Sequence, residues 1–511
     1  MPQGAPSQLR RYGGDTVTRF YEAETGDRIG LGKRGVRVKY LSRIRPTLPV
    51  TGVAVFIAGL LIAGAWAQTP AEPGASPGVE LRDISQNGPQ FASAFPFVSV
   101  SPKYDKTVLI GWRLYSLPID TNAPKGSRTA ECHLAISRDG GATFTDTNLM
   151  DFLRTVRTEE EPELWYCNAP WTAVGPDGTM YAGGAVYTAN GLVGPEPKQG
   201  RQMVTVSRDE GVHWSKAIPG ITTAKFAPGV VGIEGGKEPA DTPWDGAKGV
   251  ADPQTGTFYS SAQGYVAASD DQGRSFSTVY RPAGSKEWPG RGADIAAAHG
   301  VLAAVYFATN TPIPGKKCPC LVFASSSDKG AHFAYQLIAD STEVNPAGRT
   351  RYPQVAADPR HTGHFAVTGY TMDHRQVKVF FTEDGGRTWL SAATREPPKG
   401  VLPVSNVDMP GVGYTADGRI LAAWRGFRAA GAYNVFASIV NDQTFGATIK
   451  VSPEPSPYPA LIQLGNYSFG GGDFSTWITG DNQFAHIVFP YSPGGVVQRT
   501  YYARIPLDRM K

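Results

Sequence analysis

Polar side chains precede an apolar strand at six places in the chain, and their types suit recognition of a polar small molecule. The residues are Asn168, Asp245 with Lys248, Arg291 with Asp294, Arg351, Asp408, and Asp473 with Tyr467. Arginine forks bind carboxylates through two parallel hydrogen bonds, and paired carboxylates are what glycoside hydrolysis generally requires. If the strands meet around one axis, these groups form a ring at an apolar-walled funnel. The same pattern also fits a ring of polar side chains that has no ligand, and that only hydrates the channel and forms hydrogen bonds to the strand ends.

Five segments that share one local pattern indicate how those strands are organised. Each reads Ser/Thr-x-Asp-x-Gly-x-x-aromatic, and the aspartates are Asp139, Asp209, Asp271, Asp328 and Asp384. Successive aspartates lie 70, 62, 57 and 56 residues apart, a near-regular period that indicates a repeat architecture. The pattern suits a hairpin turn, because the carboxylate can accept backbone N–H groups, the glycine supplies a positive φ and the aromatic ring packs between sheets.

Each of these turns follows an apolar strand, a short turn and a second apolar strand. Two further units, near Gly413 and Phe474, lack a clean Asp-centred turn. Seven units over residues 79–508 average about 61 residues each, somewhat above a compact four-stranded blade. We therefore predict an all-β fold, a seven-bladed β-propeller of four-stranded antiparallel blades, with six blades as the alternative. Residues 79–84 are predicted to close the ring as an edge strand of the last blade.

The loop lengths predict which face of the propeller carries function. The turns between the first and second strands are short and share a face with the Asp-centred turns, whereas the loops on the other face are long. Long loops inside a compact repeat are usually functional. We therefore expect a site on the long-loop face, at the mouth of the central channel.

The Asp-centred turns are Asp boxes, or BNR repeats, and through them residues 79–511 resemble the sialidase-like superfamily of β-propellers. The resemblance implies that the boxes are structural and that the activity is exo-hydrolysis of sialic-acid-type glycans without a cofactor. True sialidases have six blades, hence the six-bladed alternative. Their Phe/Tyr-Arg-Ile-Pro element is absent from the first blade here, which reads Phe95-Pro-Phe-Val98, and Arg504-Ile505-Pro506 at the C-terminal end is taken as coincidence.

Sialidases hold the substrate carboxylate with three arginines and use a Tyr–Glu nucleophile pair with an Asp acid. The resemblance therefore implies roles for particular residues of this chain. The candidates are Arg113, Arg351 and Arg425 for the arginine triad, Tyr467 with Glu343 for the nucleophile pair, Asp294 for the acid, and Asp408 and Asp473 for further substrate contacts.

The four cysteines and one histidine pair bear on disulfides and metals. Cys132 and Cys167 are predicted on the long-loop face of adjacent blades, where export would permit a disulfide. Cys318-Pro-Cys320 fits a tight disulfide, half a metal site or two free thiols. His361-x-x-His364 lies in a short turn on the Asp-box face, where a solvated turn is the simpler interpretation. His361-x-x-His364 resembles a metal pair, but because no His/Cys cluster with zinc spacing lies near Cys318 and Cys320 and a solvated turn explains the histidines, we predict no metal site.

The N-terminal part divides into segments that differ from the propeller. The segments are a basic leader at 1–45, an uncharged apolar stretch at 46–67, a Pro/Gly linker at 68–78 and the propeller at 79–511. Ala65-Trp-Ala67 fits a signal-peptidase site, and a translation start near Val36 or Val38 would leave an ordinary signal peptide. An uncleaved anchor is the alternative. We expect a secreted or extracytoplasmic protein, or a membrane-anchored one with the propeller outside.

Composition narrows the function classes. With 60 Gly, 41 Pro and 18% charged residues, the chain is neither a coiled coil nor disordered. Residues 1–67 carry a net charge of +6, so residues 68–511 carry −2 of the total +4, which argues against nucleic-acid binding. The protein would contact a membrane only through residues 46–67, and only if this segment is not cleaved. Two hypotheses remain: a sialidase-like exo-glycosidase, or a non-catalytic propeller that binds glycan or protein through its long-loop face.

Overall fold

A computed structural model gives the structure of the protein from residue 75 onwards. It describes residues 75–511 except 89–90, 105, 117–129, 154–163, 189–199, 223–247, 263–264, 278–281, 283–292, 309–312, 314, 317, 341–342, 344–352, 372–374, 395–403, 429–431, 458–461, 465–466, 470–475 and 496. The chain divides into units 1–69 and 70–511, and all described residues belong to the second. The predicted leader and apolar stretch therefore lie outside the described residues. Within those residues, no helix combines the length and apolarity needed to cross a bilayer.

Antiparallel sheets arranged as the blades of a propeller make up the described part of the chain. The strands before the fourth blade are β1 (Glu80–Asp83), β2 (Phe91–Val100), β3 (Val108–Ser116), β4 (Ala130–Ser137), β5 (Thr145–Asn148), β6 (Leu164–Val174), β7 (Met180–Thr188), β8 (Gly200–Ser207), β9 (Ile218–Thr222), β10 (Lys248–Ala251), β11 (Phe258–Ala262) and β12 (Tyr265–Ser269). Blade 1 is β2–β5, blade 2 is β6–β9 and blade 3 shows three strands, β10–β12. A short helix, α1 (Met150–Leu153), follows blade 1.

Four further blades complete the propeller. Their strands are β13 (Asp294–Ala298), β14 (Val301–Ala308), β15 (Cys320–Ser326), β16 (Ala334–Asp340), β17 (Val355–Ala357), β18 (Phe365–Tyr370), β19 (Val377–Thr382), β20 (Leu390–Ala393), β21 (Val404–Tyr414), β22 (Ile420–Arg428), β23 (Ala432–Asn441), β24 (Thr444–Phe445), β25 (Ile449–Lys450), β26 (Ser456–Pro457), β27 (Ile462–Leu464), β28 (Tyr467–Phe469), β29 (Trp477–Gly480), β30 (Phe484–Tyr491) and β31 (Arg499–Pro506). Blades 4, 5 and 6 are β13–β16, β17–β20 and β21–β26. Blade 7 is β29–β31, a hairpin of β27 and β28 precedes it, and two 3₁₀ helices lie at Pro493–Gly495 and Leu507–Met510.

The ring closes as predicted, with the first strand of the described residues completing the last blade. β1 pairs antiparallel with β31, with Glu80 opposite Arg504, and both oxygens of the Glu80 carboxylate accept hydrogen bonds from the Arg504 guanidinium at 2.8 Å. This pairing covers an edge that a last strand would otherwise expose. The seven-bladed prediction is confirmed, and the six-bladed alternative is wrong.

The five Ser/Thr-x-Asp-x-Gly segments adopt one hydrogen-bonded turn directly after the third strand of blades 1 to 5. In blade 1, Asp139 accepts the backbone N–H of Thr143 at 2.8 Å and its hydroxyl at 2.6 Å. The Ser137 hydroxyl donates to Asp139 at 2.7 Å and accepts the N–H of Gly141 at 2.7 Å. The aromatic residue of this turn, Phe144, contacts Tyr502 of the preceding blade with ring centroids 5.1 Å apart. The turns therefore shape each blade and join it to its neighbour.

These hydrogen bonds lower the pKa of all five aspartates to about 2. In Asp209, Asp328 and Asp384 the largest cause is the backbone N–H four residues later. In Asp139 and Asp271 slight burial raises the pKa, and the same kinds of hydrogen bond outweigh it.

We expect the propeller to lose stability in a defined acid window. Because the folded-state pKa lies below the unfolded value of about 3.8, the carboxylates stabilise the fold above pH 4, and this contribution disappears as the pH falls towards 2. Urea unfolding followed by tryptophan fluorescence should show a midpoint that falls between pH 4 and pH 2.5. Asp384→Asn should make that fall shallower. A midpoint that stays constant across this window would contradict the role of the turns.

Candidate ligand-binding site

A buried ion pair joins the innermost strands of blades 3 and 4. Lys248, the first residue of β10, places its Nζ 2.9 and 3.0 Å from the carboxylate oxygens of Asp294, the first residue of β13. The residues are 7% and 8% exposed. The backbone N–H of Val355, at the start of β17, donates to the same carboxylate at 2.8 Å. One carboxylate therefore ties three successive blades together at the long-loop end of their first strands.

One aromatic ring, that of Trp477, borders this ion pair, and two further aromatic rings pack close to it or to the strand of Lys248. Lys248 Nζ lies 4.9 Å from the ring centroid of Trp477, the first residue of β29 in blade 7. The ring of Trp477 lies 4.4 Å from that of Phe97 in blade 1, and a Cβ placed on Gly249 would meet the ring of Trp171 at 2.2 Å. The innermost strands thus bring the charged pair and the partly buried ring of Trp477 together, near the channel mouth that the sequence predicted.

The electrostatics of the pair are set mainly by burial. Burial raises the pKa of Asp294 and lowers that of Lys248, while their mutual attraction opposes both changes. A paired buried charge is tolerated, but removal of either partner leaves an uncompensated charge in a site of low polarity. The pair therefore fixes the geometry of the funnel base.

The first strands of three blades each contain one residue with a strained backbone. Phe95, Ala169 and Met409 have φ values of 51°, 45° and 47°, and each precedes a proline. Each strained residue lies within a break in strand register of β2, β6 or β21. Bulges redirect neighbouring side chains, and strain of this kind in non-glycine residues clusters at functional sites. The strained bulges are therefore a second reason to place a site at the channel mouth.

Two of the three predicted triad arginines stack on tyrosines of their own blades. Arg113 of β3 lies 4.2 Å from the ring centroid of Tyr115, and Arg425 of β22 lies 4.8 Å from that of Tyr433. Both arginines are essentially buried, at 1% and 0% exposure. Arg351 lies outside the described residues, so the predicted triad remains a prediction.

The predicted nucleophile pair is described only in part. Glu343 is half exposed and accepts a hydrogen bond from Lys378 Nζ at 3.3 Å. Lys378 belongs to β19, the third strand of blade 5, so this contact assigns Glu343 to the outer part of the blades. Tyr467 begins β28, but its side chain lies outside the described residues. The side chain of Asp408 and the whole of Asp473 also lie outside them.

Of the predicted site residues, the structure joins Asp294 to Lys248, which the sequence had placed separately at two strand entrances. Sequence reasoning missed Trp477, whose partly buried ring lies beside Lys248, because it read as an ordinary core residue. Its signal was positional, since it lies in the first strand of its unit close to the predicted mouth.

All four cysteines form disulfides. Cys132 and Cys167 are joined as predicted, with their Cα atoms 5.5 Å apart, and link β4 of blade 1 to β6 of blade 2. Cys318 and Cys320 are joined to each other. Of the alternatives that the sequence left open for this pair, a tight disulfide, half a metal site or two free thiols, the structure shows the disulfide. The first of these bonds holds adjacent blades together near the long-loop face.

No protein-family profile and no curated protein sequence matches the chain. Among solved structures, it is similar to a Hadza microbial sialidase at 14% identity and a TM-score of 0.39, over 82% of this chain and 66% of the other. It is similar to the Trypanosoma rangeli sialidase in complex with sialic acid at 10% identity and a TM-score of 0.39, over 85% and 60%. An α-L-arabinofuranosidase from Fusarium graminearum matches at 13% identity and 0.40, over 84% and 98%. The chain thus spans less than two thirds of the length of those sialidases.

Proposed function

We propose that the protein is an exported β-propeller that binds a glycan at the mouth of its central channel and does not hydrolyse it. The observation that supports this most is the buried Lys248–Asp294 pair, which lies beside the ring of Trp477, itself packed on Phe97. A sugar offers hydroxyl groups to charged partners and an apolar C–H face to aromatic rings. A mostly apolar pocket with a few fixed polar groups suits such a ligand.

The placement of the predicted catalytic residues favours binding over hydrolysis. Arg113 and Arg425 are buried against tyrosines of their own blades, and Glu343 contacts Lys378 of an outer strand. A sialidase would need the arginines to converge on a carboxylate and a glutamate to activate Tyr467.

Exo-hydrolysis of a sialic-acid-type glycan is the second candidate, and one observation favours it. Burial raises the pKa of Asp294, and a carboxyl group with a raised pKa is suited to act as a general acid. In this alternative, Asp294 would protonate the departing sugar oxygen, and Tyr467 with Glu343 would supply the nucleophile, as the resemblance implies.

Export completes the proposal. The apolar stretch 46–67 after a basic segment is an export signal or an anchor, and we propose that the propeller acts outside the cytoplasm. The disulfides Cys132–Cys167 and Cys318–Cys320 are compatible with an oxidising compartment.

The two candidates can be separated in one experiment on purified residues 68–511. A glycan array would first give the preferred structure, and 3′-sialyllactose would serve as the defined probe. We expect saturable binding in calorimetry and an intact glycan in the same sample after prolonged incubation. Release of sialic acid that disappears with Arg351→Ala would instead establish the hydrolase.

A further inference from the structure

We propose that Asp358, His361 and His364 form a binding site for a divalent transition metal ion, with Zn²⁺ as the probe. The three residues lie in the turn between β17 and β18 of blade 5, at the end of the propeller opposite the channel mouth. One carboxylate oxygen and one nitrogen from each histidine lie within 4.8 Å of one another. The inference is independent of the proposed glycan binding.

The distances fit a metal of this class. His361 Nδ1 is 2.8 Å and His364 Nδ1 is 3.9 Å from the same oxygen, Oδ2 of Asp358. Ligand bonds of about 2.0–2.2 Å in tetrahedral geometry place neighbouring ligand atoms roughly 3.4 Å apart. The two observed separations lie on either side of that value, so small side-chain rotations bring all three ligands to one ion.

The donor set selects the ion. Two imidazoles and one carboxylate suit Zn²⁺ and its neighbours in the first transition row better than Ca²⁺ or Mg²⁺, which prefer oxygen ligands. Three protein ligands leave a fourth position for water. Without metal, the contact between His361 and Asp358 is an ordinary ion pair or hydrogen bond.

The carboxylate is buried and held in place by the turn. The Asp358 side chain is 2% exposed, and its Oδ1 accepts the backbone N–H of Arg360 at 2.7 Å. The backbone N–H of Asp358 donates to the carbonyl of His364 at 3.0 Å. These bonds leave Oδ2 directed towards both imidazoles.

Neighbouring turns also fix the backbone of this segment. The carbonyl of Gly363 accepts the N–H of Gly385 in the Asp-centred turn of the same blade at 2.9 Å. The carbonyl of Pro359 accepts a hydrogen bond from the Gln254 side chain of blade 3. A ligand set held on a fixed backbone loses less conformational entropy when it binds an ion.

The chain contains a matched control for the cluster. His332 Nδ1 lies 2.6 Å from Asp328 Oδ2, which resembles the contact of His361 with Asp358, and its side chain is 90% exposed. The short turn that holds His361 and His364 supplies two imidazoles to one carboxylate, whereas among the described contacts of Asp328 one imidazole, that of His332, reaches the carboxylate, which also accepts the Ser326 hydroxyl. If any exposed Asp–His pair bound zinc, His332 would do so as well.

The test is the zinc content and affinity of the untagged propeller, residues 68–511. After incubation with Zn²⁺ and gel filtration, mass spectrometry for metals should give one zinc ion per chain. Calorimetry should show one saturable site that weakens at least 10-fold in His361→Ala and in His364→Ala, and that is unchanged in His332→Ala. Co²⁺ bound at the same site should give the absorption bands of a tetrahedral ion.

Two results would overturn the proposal. One is a folded wild-type protein that retains no zinc. The other is a zinc affinity that His361→Ala and His364→Ala do not change. Because both histidines are at least partly exposed, circular dichroism should show that these variants remain folded. Asp358→Asn, which keeps the size of the buried side chain, should also lower the affinity.

Discussion

Lys248→Met should destabilise the propeller by about 3–5 kcal/mol, the usual cost of removing one partner from a buried ion pair. The substitution keeps the apolar length of the side chain but leaves the Asp294 carboxylate buried without its cation. Lys248→Met with Asp294→Asn should recover most of the loss, because the amide is uncharged and its oxygen can still accept the N–H of Val355. Urea unfolding of the wild type and the two variants would measure the difference.

The pH dependence of this effect has a definite sign. In Lys248→Met, the pKa of Asp294 loses the lowering effect of the lysine and lies further above its unfolded value. The penalty is therefore full at neutral pH and decreases as the pH falls and Asp294 takes up a proton. If the single and double variants were equally destabilised at pH 7, the loss would come from packing, and the ion pair would not be the feature that fixes the funnel base.

Gly141→Ala should destabilise by about 3–5 kcal/mol, as the sum of backbone strain and steric overlap. Gly141 has a φ of 90°, and a Cβ there would lie 2.0 Å from the hydroxyl oxygen of Tyr502 in the preceding blade. The turn would have to move away from blade 7 or displace a buried ring. Thermal and urea unfolding should both show the loss.

Gly385→Ala is the matched control for the steric part of this effect. Gly385 also has a positive φ, 76°, but a Cβ there meets nothing within 4 Å. The equivalent position of three other turns is occupied by Glu210, Gln272 and Lys329, all with positive φ. We therefore expect a cost of only about 1 kcal/mol for Gly385→Ala. Equal losses in the two variants would show that contact with the preceding blade is not what requires Gly141.

The repeat pattern made the fold predictable from the sequence. The pattern Ser/Thr-x-Asp-x-Gly-x-x-aromatic marks a turn through local hydrogen bonds, which sequence encodes directly. Five copies of this turn, each after two apolar strands, together with two further strand pairs that lack it, indicated seven blades. The closing strand at Glu80–Asp83 was predictable because a propeller without it would leave an unpaired edge.

The candidate site was less predictable because its contacts join residues from different blades. Lys248 and Asp294 are 46 residues apart, and only the packing of blade 3 beside blade 4 brings their side chains together. Trp477 approaches Lys248 from the opposite end of the chain, through ring closure. The same limit applies to the His361 turn, where Asp358 reads as the end of a strand and its carboxylate becomes a third ligand only once the turn is folded.

The most direct test of the central claim, that ligand binds at the channel mouth, is the affinity of Trp477→Leu for the glycan preferred on the array. The matched control is Trp389→Leu, which changes a partly buried tryptophan in the Asp-centred turn of blade 5, on the face opposite the channel mouth. We predict that Trp477→Leu weakens binding at least 10-fold in calorimetry, whereas Trp389→Leu leaves it within 2-fold of the wild type. Equal affinity of a folded Trp477→Leu variant and the wild type would contradict the assignment and place the ligand elsewhere on the protein.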